Sequence, residues 1–540
     1  MERLTGGEAI VRSLLLHGVD TVFGIPGVQT YGLFDALYQA RDKIRFITAR
    51  HEQATAYMAY GYAKAGAKPG VFTVVPGPGL LNTLAAVCTA YATSTPIVCV
   101  TGEIPAAAMG SGAGHLHELP DQLATMRSVM KWAACIRHPS EAPALINEAF
   151  HQATTGRPRP VGVEMPWDVF SMQSAVALQP PSAPAPVGHD PDLIAQAAAL
   201  IKVARNPMIM VGSGAMHACE EVQALAELLQ APVVPFRGGR GIVSEAHHLG
   251  FNIASGYARW PETDLVIGIG SRMELRWSRW GTPKQAMQSI CIDIDPAQIT
   301  RTHADVGIVG DAKAATRDLL AALEQVISTR PSRKTEFEAS KARTVIETQR
   351  VQPHMNFLAA IRDVLPRDGI LVNEVCQAGF TSEFGFPVYA PRTYISAGHQ
   401  GTLGFGFPTA LGVKVACPDK AVVSMAGDGG FMFGVQELMT AVQHGINLVT
   451  IVYNNSAYGN VHRSQVHEFA GRVIGSELQN PDYVKLAESF GMAGYRAADP
   501  SALRTTLAQA LAANAPALIE VPIERGSEVS PWPFLYPAMM

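Results

Sequence analysis

Short apolar runs recur along the chain with longer helical patterns between them, and this alternation fixes the fold class more firmly than any single motif. Val71–Val75, Ile97–Thr101 and Val161–Glu164 read as buried strands in the first third. Met208–Val211, Leu265–Ile269 and Ser289–Ile294 do so in the middle, and Ile370–Val372, Ala421–Met425, Leu448–Tyr453 and Ala517–Val521 in the last third. The stretches between them, such as Glu8–His17, Ala54–Ala65, Glu220–Leu229 and Val435–His444, have helical spacing. A strand without a polar face must be covered on both sides, which helices do on a parallel sheet. The fold class expected is therefore α/β, with three tandem domains built on parallel sheets.

Two composition shifts divide the chain. Residues 172–191 contain Pro180, Pro181, Pro184, Pro186 and Pro191 among small residues and read as a stiff, extended linker. Residues 330–350 carry nine charges (Arg330, Arg333, Lys334, Glu336, Glu338, Lys341, Arg343, Glu347 and Arg350) and read as an exposed linker, helical in part. The domains expected are residues 1–171, 192–328 and 351–540, roughly 170, 140 and 190 residues, each of ordinary size.

Composition narrows the function. With 48% hydrophobic and 16% charged residues, the 540-residue chain has enough apolar material for large cores and is neither disordered nor collagen-like. A net charge of -4 without a basic block gives no electrostatic footprint for nucleic acid. Seven cysteines without a CxxC pair read as reduced thiols of a cytoplasmic protein, and no zinc-knuckle spacing is present. Met1 to Phe23 carries Glu2, Arg3, Glu8 and Arg12 around a short leucine run, so no signal peptide is expected. Pro69 to Gly102 has no charge, but Pro76, Gly77, Pro78, Gly79 and Pro96 cut it into strand, loop, helix and strand. No membrane span is expected.

The clearest chemistry lies in the last third. The strand Ala421–Met425 runs into Gly427-Asp428-Gly429-Gly430, and the strand Leu448–Tyr453 runs into Asn454-Asn455. Ligands in open α/β sheets sit beyond the carboxyl ends of strands, so consecutive strands would bring Asp428 and Asn455 to one rim. Glycines let backbone N–H groups approach a phosphate, and a carboxylate plus an amide oxygen suits Mg²⁺. A glycine-rich turn without a ligand is the plain alternative for the Gly-Asp-Gly triplet taken alone.

Asn455 lies 27 positions beyond Asp428 (455 less 428), and this GDG–NN pattern resembles the thiamine diphosphate (ThDP) motif. Gly24-Ile25-Pro26-Gly27, Arg50-His51-Glu52-Gln53 and Gly77-Pro78-Gly79 with Asn82 look like parts of a pyrimidine-binding domain. Gly401-Thr402-Leu403-Gly404-Phe405-Gly406-Phe407-Pro408 looks like the opening of a diphosphate-binding half. Gly268-Ile269-Gly270-Ser271-Arg272 and Ile292-Asp293-Ile294-Asp295-Pro296 are similar to the central domain of the acetolactate synthase-like group, large catalytic subunit type.

The resemblance implies specific roles. Glu52 would hydrogen-bond the cofactor pyrimidine and favour the tautomer that removes the thiazolium C2 proton, giving a ylid and later an enamine; a first-turn dipole partner is its structural alternative. Leu403 would wedge the cofactor into its bent shape. Asp428, Asn455 and the Ala457 carbonyl would hold Mg²⁺. Pro26, Gly27 and Asn82 would face the pyrimidine, and Val375, Cys376, Gln377, Gly401, Gly427, Gly429, Gly430, Tyr458 and Gly459 the diphosphate. The family usually has glycine at the Cys376 position. It also implies a homodimer or homotetramer in which Glu52 serves the cofactor of a neighbouring subunit.

The reaction implied is decarboxylation or carboligation of a small 2-oxo acid. The family's Phe-Gln-Glu triplet is Leu116-His117-Glu118 here, its later tryptophan is Ser464, and histidine enters at His399. His117 and His399 are candidates for proton transfer or carboxylate binding, against a structural reading for each. His51 would fix the loop of Glu52, His115 reads as structural, and Arg463, Gln465 and Pro531-Trp532-Pro533-Phe534 would either close over the site or form a surface strap. In the middle domain Arg272-Met273-Glu274-Leu275-Arg276 only loosely echoes a flavin pattern, leaving FAD, ADP or CoA, and an empty structural site as alternatives. The competing functions are a carbon–carbon lyase on 2-hydroxyacyl-CoA or oxalyl-CoA, and a catalytically silent subunit.

Overall fold

The computed structural model describes residues 1–182, 185, 187–281 and 287–537. Pro184 and Pro186 of the proline-rich linker lie outside the described residues.

Three parallel sheets follow one another along the chain. The first has the strands Thr21–Gly24, Arg45–Thr48, Gly70–Val74, Ile97–Glu103, Trp132–Cys135 and Val161–Pro166. Numbered within that sheet, their spatial order is 2-1-3-4-6-5. The third sheet has Ile370–Asn373, Tyr394–Ile395, Val422–Gly427, Val449–Asn454, Ala493–Arg496 and Ala517–Pro522 in the same order. The middle sheet has Pro207–Val211, Val233–Pro235, Leu265–Ile269, Gln288–Asp293 and Val306–Val309 in the order 2-1-3-4-5. In all three the order reverses between the first and third strands, which opens a crevice beyond their carboxyl ends.

The uncharged stretch folds as read: strand Gly70–Val74, helix Pro78–Ala92, strand Ile97–Glu103. No helix among the described residues is long and apolar enough to cross a membrane. All seven cysteines are unpaired.

Both linkers are more ordered than composition suggests. Gln173–Val176 is not free linker but a strand, paired antiparallel with Glu2–Thr5, because an extended segment beside an unpaired edge can satisfy its N–H and C=O groups there. Lys334–Thr348 is a helix that buries the stripe Phe337, Ser340, Thr344 and Thr348 and leaves its charges outside.

The first and third domains share one hydrophobic core, which runs from Ala54–Ala63 through Phe405–Val413 to Ala441. At its centre the helices Glu52–Gly66 and Gly406–Ala416 cross. A Cβ on Gly61 would strike the Thr409 carbonyl, and one on Gly412 would strike the Met58 carbonyl. Each helix thus presents a glycine to the other's backbone.

Candidate active site

One rim lies at the reversal point of the third sheet and the strand beside it. Val422–Gly427 and Val449–Asn454 are hydrogen-bonded neighbours with Gly427 opposite Tyr453, so Asp428 and Asn455 leave adjacent strands side by side. Asp428 is buried at the start of the short helix Asp428–Phe431. Its Oδ1 accepts from the Gly429 N–H at 2.9 Å and its Oδ2 from Asn480 Nδ2 at 2.7 Å. Burial pushes this carboxyl above the ordinary aspartate range, while Asn480 and the N–H groups of Gly429, Ala457 and Ser456 pull it back. Asn455 Oδ1 accepts from the Ala457 N–H at 3.1 Å, and Asn455 Nδ2 donates to Glu528 Oε2 at 2.8 Å.

Among the described residues no cluster of three His, Cys, Asp or Glu stands ready for a metal. A cation on this rim would rest on one carboxylate together with amide and carbonyl oxygens, a hard-oxygen set suited to Mg²⁺ rather than zinc.

The glycines let neighbouring side chains approach the main chain closely here. A Cβ on Gly427 would lie 2.8 Å from Cys376 Cβ, one on Gly429 would press into the Tyr458 ring at 2.6 Å, and one on Gly430 would meet the Glu374 carboxylate. Gly401, at φ +56°, has only Val375 nearby. Cys376 caps the helix Gln377–Gly385, its Sγ accepting from the Gly379 N–H at 3.3 Å. Gln377 Oε1 accepts from Arg463 Nη1 at 2.9 Å, whereas its buried Nε2 has no partner. That unpaired donor beside a helix start, within a glycine cradle, fits a diphosphate. Gly459 adjoins the Asn455 amide.

Glu374, Asn480 and Glu437 escaped the sequence reading. Glu374 is fully buried, accepts N–H groups from Gly404, Phe405 and Gly406, and is pushed up to about 8 by burial. It anchors the turn that carries Leu403. Glu437, also fully buried, accepts from the N–H groups of Arg50 (3.1 Å) and His51 (3.0 Å) and from Thr440 Oγ1 at 2.6 Å. A carboxylate of the third domain thereby pins the main chain just before Glu52.

The second rim lies on the first sheet. Glu52 is the first residue of its helix, behind His51, whose Nδ1 accepts from the Gln53 N–H at 3.2 Å. Glu52 Oε2 accepts from Asn82 Nδ2 at 2.9 Å, and Asn82 stands in the first turns of the helix that starts after Gly77 (φ +62°). Pro26 and Gly27 follow the first strand, where Thr30 Oγ1 donates to the Gly27 carbonyl at 2.8 Å. His117, at φ +68°, puts Nδ1 2.8 Å from Gln29 Oε1, and its carbonyl lies against Gly77. These residues therefore share a rim. Glu118 caps the Gly112, Gly114 and His115 N–H groups, and His115 is exposed.

The turn Gly398–Gly404 leans on the helix Pro78–Ala92 of the same chain, with Thr402 Oγ1 3.0 Å from Thr89 Oγ1 and Gln400 Nε2 donating to Cys88 Sγ at 3.3 Å. His399 turns away from His117 and accepts from Arg272 Nη1 at 2.8 Å; burial, then Arg272, lower its pKa. It lines a cavity of about 470 Å³ between the first, central and third domains, with Gly212, Gly214, Gly270, Arg157, Arg237 and Lys64. Arg237 Nη1 is buried without a partner, and burial followed by Arg392 and Arg272 holds Lys64 down to about 7. The cavity is cationic, with glycine turns at a strand-order reversal, as nucleotide phosphates require. Arg157 also pairs with Asp293 (3.0 Å) and Asp295 (2.8 Å).

The carboxyl-terminal segment straps the third domain. Trp532 Nε1 donates to Asn460 Oδ1 at 2.8 Å, and its ring lies 4.7 Å from that of Phe380 on the helix Gln377–Gly385. Arg463 Nη2 donates to the Glu528 carbonyl at 2.8 Å, whereas Gln465 bonds Ile474 and Ser476 instead.

Three family models match the chain: the N-terminal TPP binding domain of thiamine pyrophosphate enzymes over residues 4–125, the central domain over 194–319, and the C-terminal TPP binding domain over 375–521. A probable acetolactate synthase large subunit of Methanocaldococcus jannaschii is 35% identical, the match covering 96% of this chain and 92% of that protein. The probable 2-ketoarginine decarboxylase AruI of Pseudomonas aeruginosa is 32% identical over 96% and 94%. The acetolactate synthase isozyme 3 large subunit of Escherichia coli is 31% identical over 95% and 93%.

Proposed function

The chain belongs to the thiamine pyrophosphate enzymes, in the acetolactate synthase-like group of decarboxylases and carboligases, and from that membership we propose that it is a Mg²⁺-dependent enzyme that decarboxylates a small 2-oxo acid and passes the product to a proton or a second carbonyl acceptor. The observation that carries this is the pairing of Asp428 and Asn455 on adjacent strand ends beside the unpaired Gln377 Nε2.

Asp428, Asn455 and the Ala457 carbonyl would hold the cation. Gly427, Gly429, Gly430, Val375, Cys376, Gln377, Gly401, Tyr458 and Gly459 would surround the diphosphate, and Pro26, Gly27, Glu52 and Asn82 the pyrimidine. Bound there, ThDP supplies a carbon nucleophile and an electron sink for the pair released with CO₂. Glu52 holds or gives up a proton at the pyrimidine, with Asn82 fixing its carboxylate and Glu437 its main chain. Leu403 would pack against the bound cofactor. His117, steadied by Gln29, would move a proton to or from the substrate. His399 faces the central cavity instead, so we assign it to ligand contacts there.

We further read the central cavity as a site for a nucleotide such as FAD, supported by the unpaired Arg237 Nη1 and the glycine turns. The active unit would be a cytoplasmic homodimer or homotetramer, with Glu52 serving a neighbouring subunit.

Incubation with pyruvate and a panel of 2-oxo acids, with ThDP and Mg²⁺, should release CO₂ and yield an aldehyde or a carboligation product. Cleavage of an acyl-CoA with no turnover of any 2-oxo acid would replace this function by the lyase, and a flavin absorption band in the purified protein would identify the nucleotide.

A further inference from the structure

We propose that Glu528, backed by His354, is a positioning residue that sets the side-chain amide of Asn455 so that its oxygen, not its nitrogen, faces the cation site. The proposal rests on the reading of Asn455 as a Mg²⁺ ligand.

A carboxylate oxygen can only accept a hydrogen bond, so the Asn455 atom 2.8 Å from Glu528 Oε2 is the amide nitrogen. The planar amide then has its oxygen on the opposite edge, toward Ala457, whose N–H it accepts. Without Glu528, the single Ala457 contact at 3.1 Å would be all that keeps the amide from turning over and presenting its NH₂ group to the cation.

Glu528 is itself held in place. It is nearly buried; His354, with no exposed side-chain surface, lies with Nε2 2.7 Å from Glu528 Oε1, and the His354 ring stands edge-on to Tyr453, two residues before Asn455. The Arg463 guanidinium donates to the Glu528 carbonyl, and the Val529 N–H donates to the Gln352 carbonyl at 2.9 Å. The same tail grips the turn from its outer side. The Ile523 N–H donates to the Asn454 carbonyl at 2.8 Å, and Arg525 Nη2 donates to the Ser456 carbonyl at 2.9 Å. The cation ligand is thus oriented by a segment distant in sequence, and the docked tail and the loaded site should stabilise each other.

The test is Glu528→Leu in the full chain, which keeps much of the volume and removes the acceptor that faces Asn455 Nδ2. Titration of Mg²⁺ into metal-free protein at saturating ThDP, followed by calorimetry, should show affinity about tenfold lower or worse, at a temperature where the metal-free variant is still folded. In the unmodified chain, Mg²⁺ with ThDP should slow amide hydrogen exchange across Arg525–Val529. A folded variant that binds Mg²⁺ within about twofold of the unmodified chain would overturn the proposal while leaving the reading of Asn455 standing. If the variant does not fold, unchanged exchange on loading the unmodified chain overturns it. If the unmodified chain takes up no Mg²⁺ with ThDP, the parent reading falls, and this one with it.

Discussion

The first and third domains share one strand order and open their crevices at the same reversal, yet they equip those crevices differently. In the third domain the carboxylates at the rim are buried, Asp428 held by Gly429 and Asn480 and Glu528 by His354 and Asn455, while Glu374 behind the Gly404 turn is pushed toward its neutral form by burial. In the first domain Glu52 is half-exposed, and its carboxylate accepts from Asn82 alone among the described side-chain bonds. Topology therefore decides where a crevice opens, while the hydration and partners of its acids decide whether it grips or reacts. A fully satisfied, buried anion suits holding a cation and diphosphate. A carboxylate with spare acceptor capacity suits a proton that must come and go.

The division can be broken most sharply at Glu52. Replacing it by Gln should lower kcat about a thousandfold, some 4 kcal/mol, while calorimetric uptake of Mg²⁺ and ThDP persists. Weakened uptake with kcat retained at saturating ThDP and Mg²⁺ would reverse the two roles.

Glu374 probes the gripping side through pH. Its folded pKa of about 8 lies above the ordinary glutamate value, so folding takes up a proton between roughly pH 4.5 and pH 8. The stability tied to that proton is fully present at acid pH and is lost as pH rises through the folded pKa. Glu374→Gln should therefore melt close to the unmodified chain near pH 5 and be more stable by up to about 5 kcal/mol near pH 9. Parallel melting curves at both pH values would show that the carboxyl is not held neutral by burial.

The crossing between the halves comes next. Gly61→Ala puts a methyl against the Thr409 carbonyl, and a loss of about 2 kcal/mol in denaturant unfolding is expected. Glu437→Gln should have the smallest effect, a roughly tenfold fall in kcat as the loop before Glu52 loosens, with Mg²⁺ and ThDP affinity unchanged. An equal fall in cofactor affinity would place Glu437 on the gripping side instead.

Local signals carried most of the framework. The continuous apolar runs, the glycine-rich end of Val422–Gly427 and the following Asn pair are written in neighbouring residues, and the structure puts all of them on buried strands and their ends. The strands that escaped reading are edges or short. Tyr394–Ile395, Trp132–Cys135 and Ala493–Arg496 lie at or beside the margins of their sheets, the latter two partly exposed, and so lack a continuous apolar run. The site residues that escaped reading act across distance. Glu437 reaches His51 over 386 positions and Glu528 reaches Asn455 over 73, separations that no periodicity encodes. His399 sits beside Gly401 and Leu403 in sequence, and only folding shows that its side chain faces Arg272.

Where the helices Glu52–Gly66 and Gly406–Ala416 meet, main chain rests on main chain with no side chain between to bend or re-pack. Such a junction behaves as a fixed spacer. With Tyr57 and Tyr60 packed edge-on to Phe405 beside it, the two rims of one polypeptide can neither slide nor tilt apart without opening the core they share, so their separation within a subunit is set by two missing methyl groups.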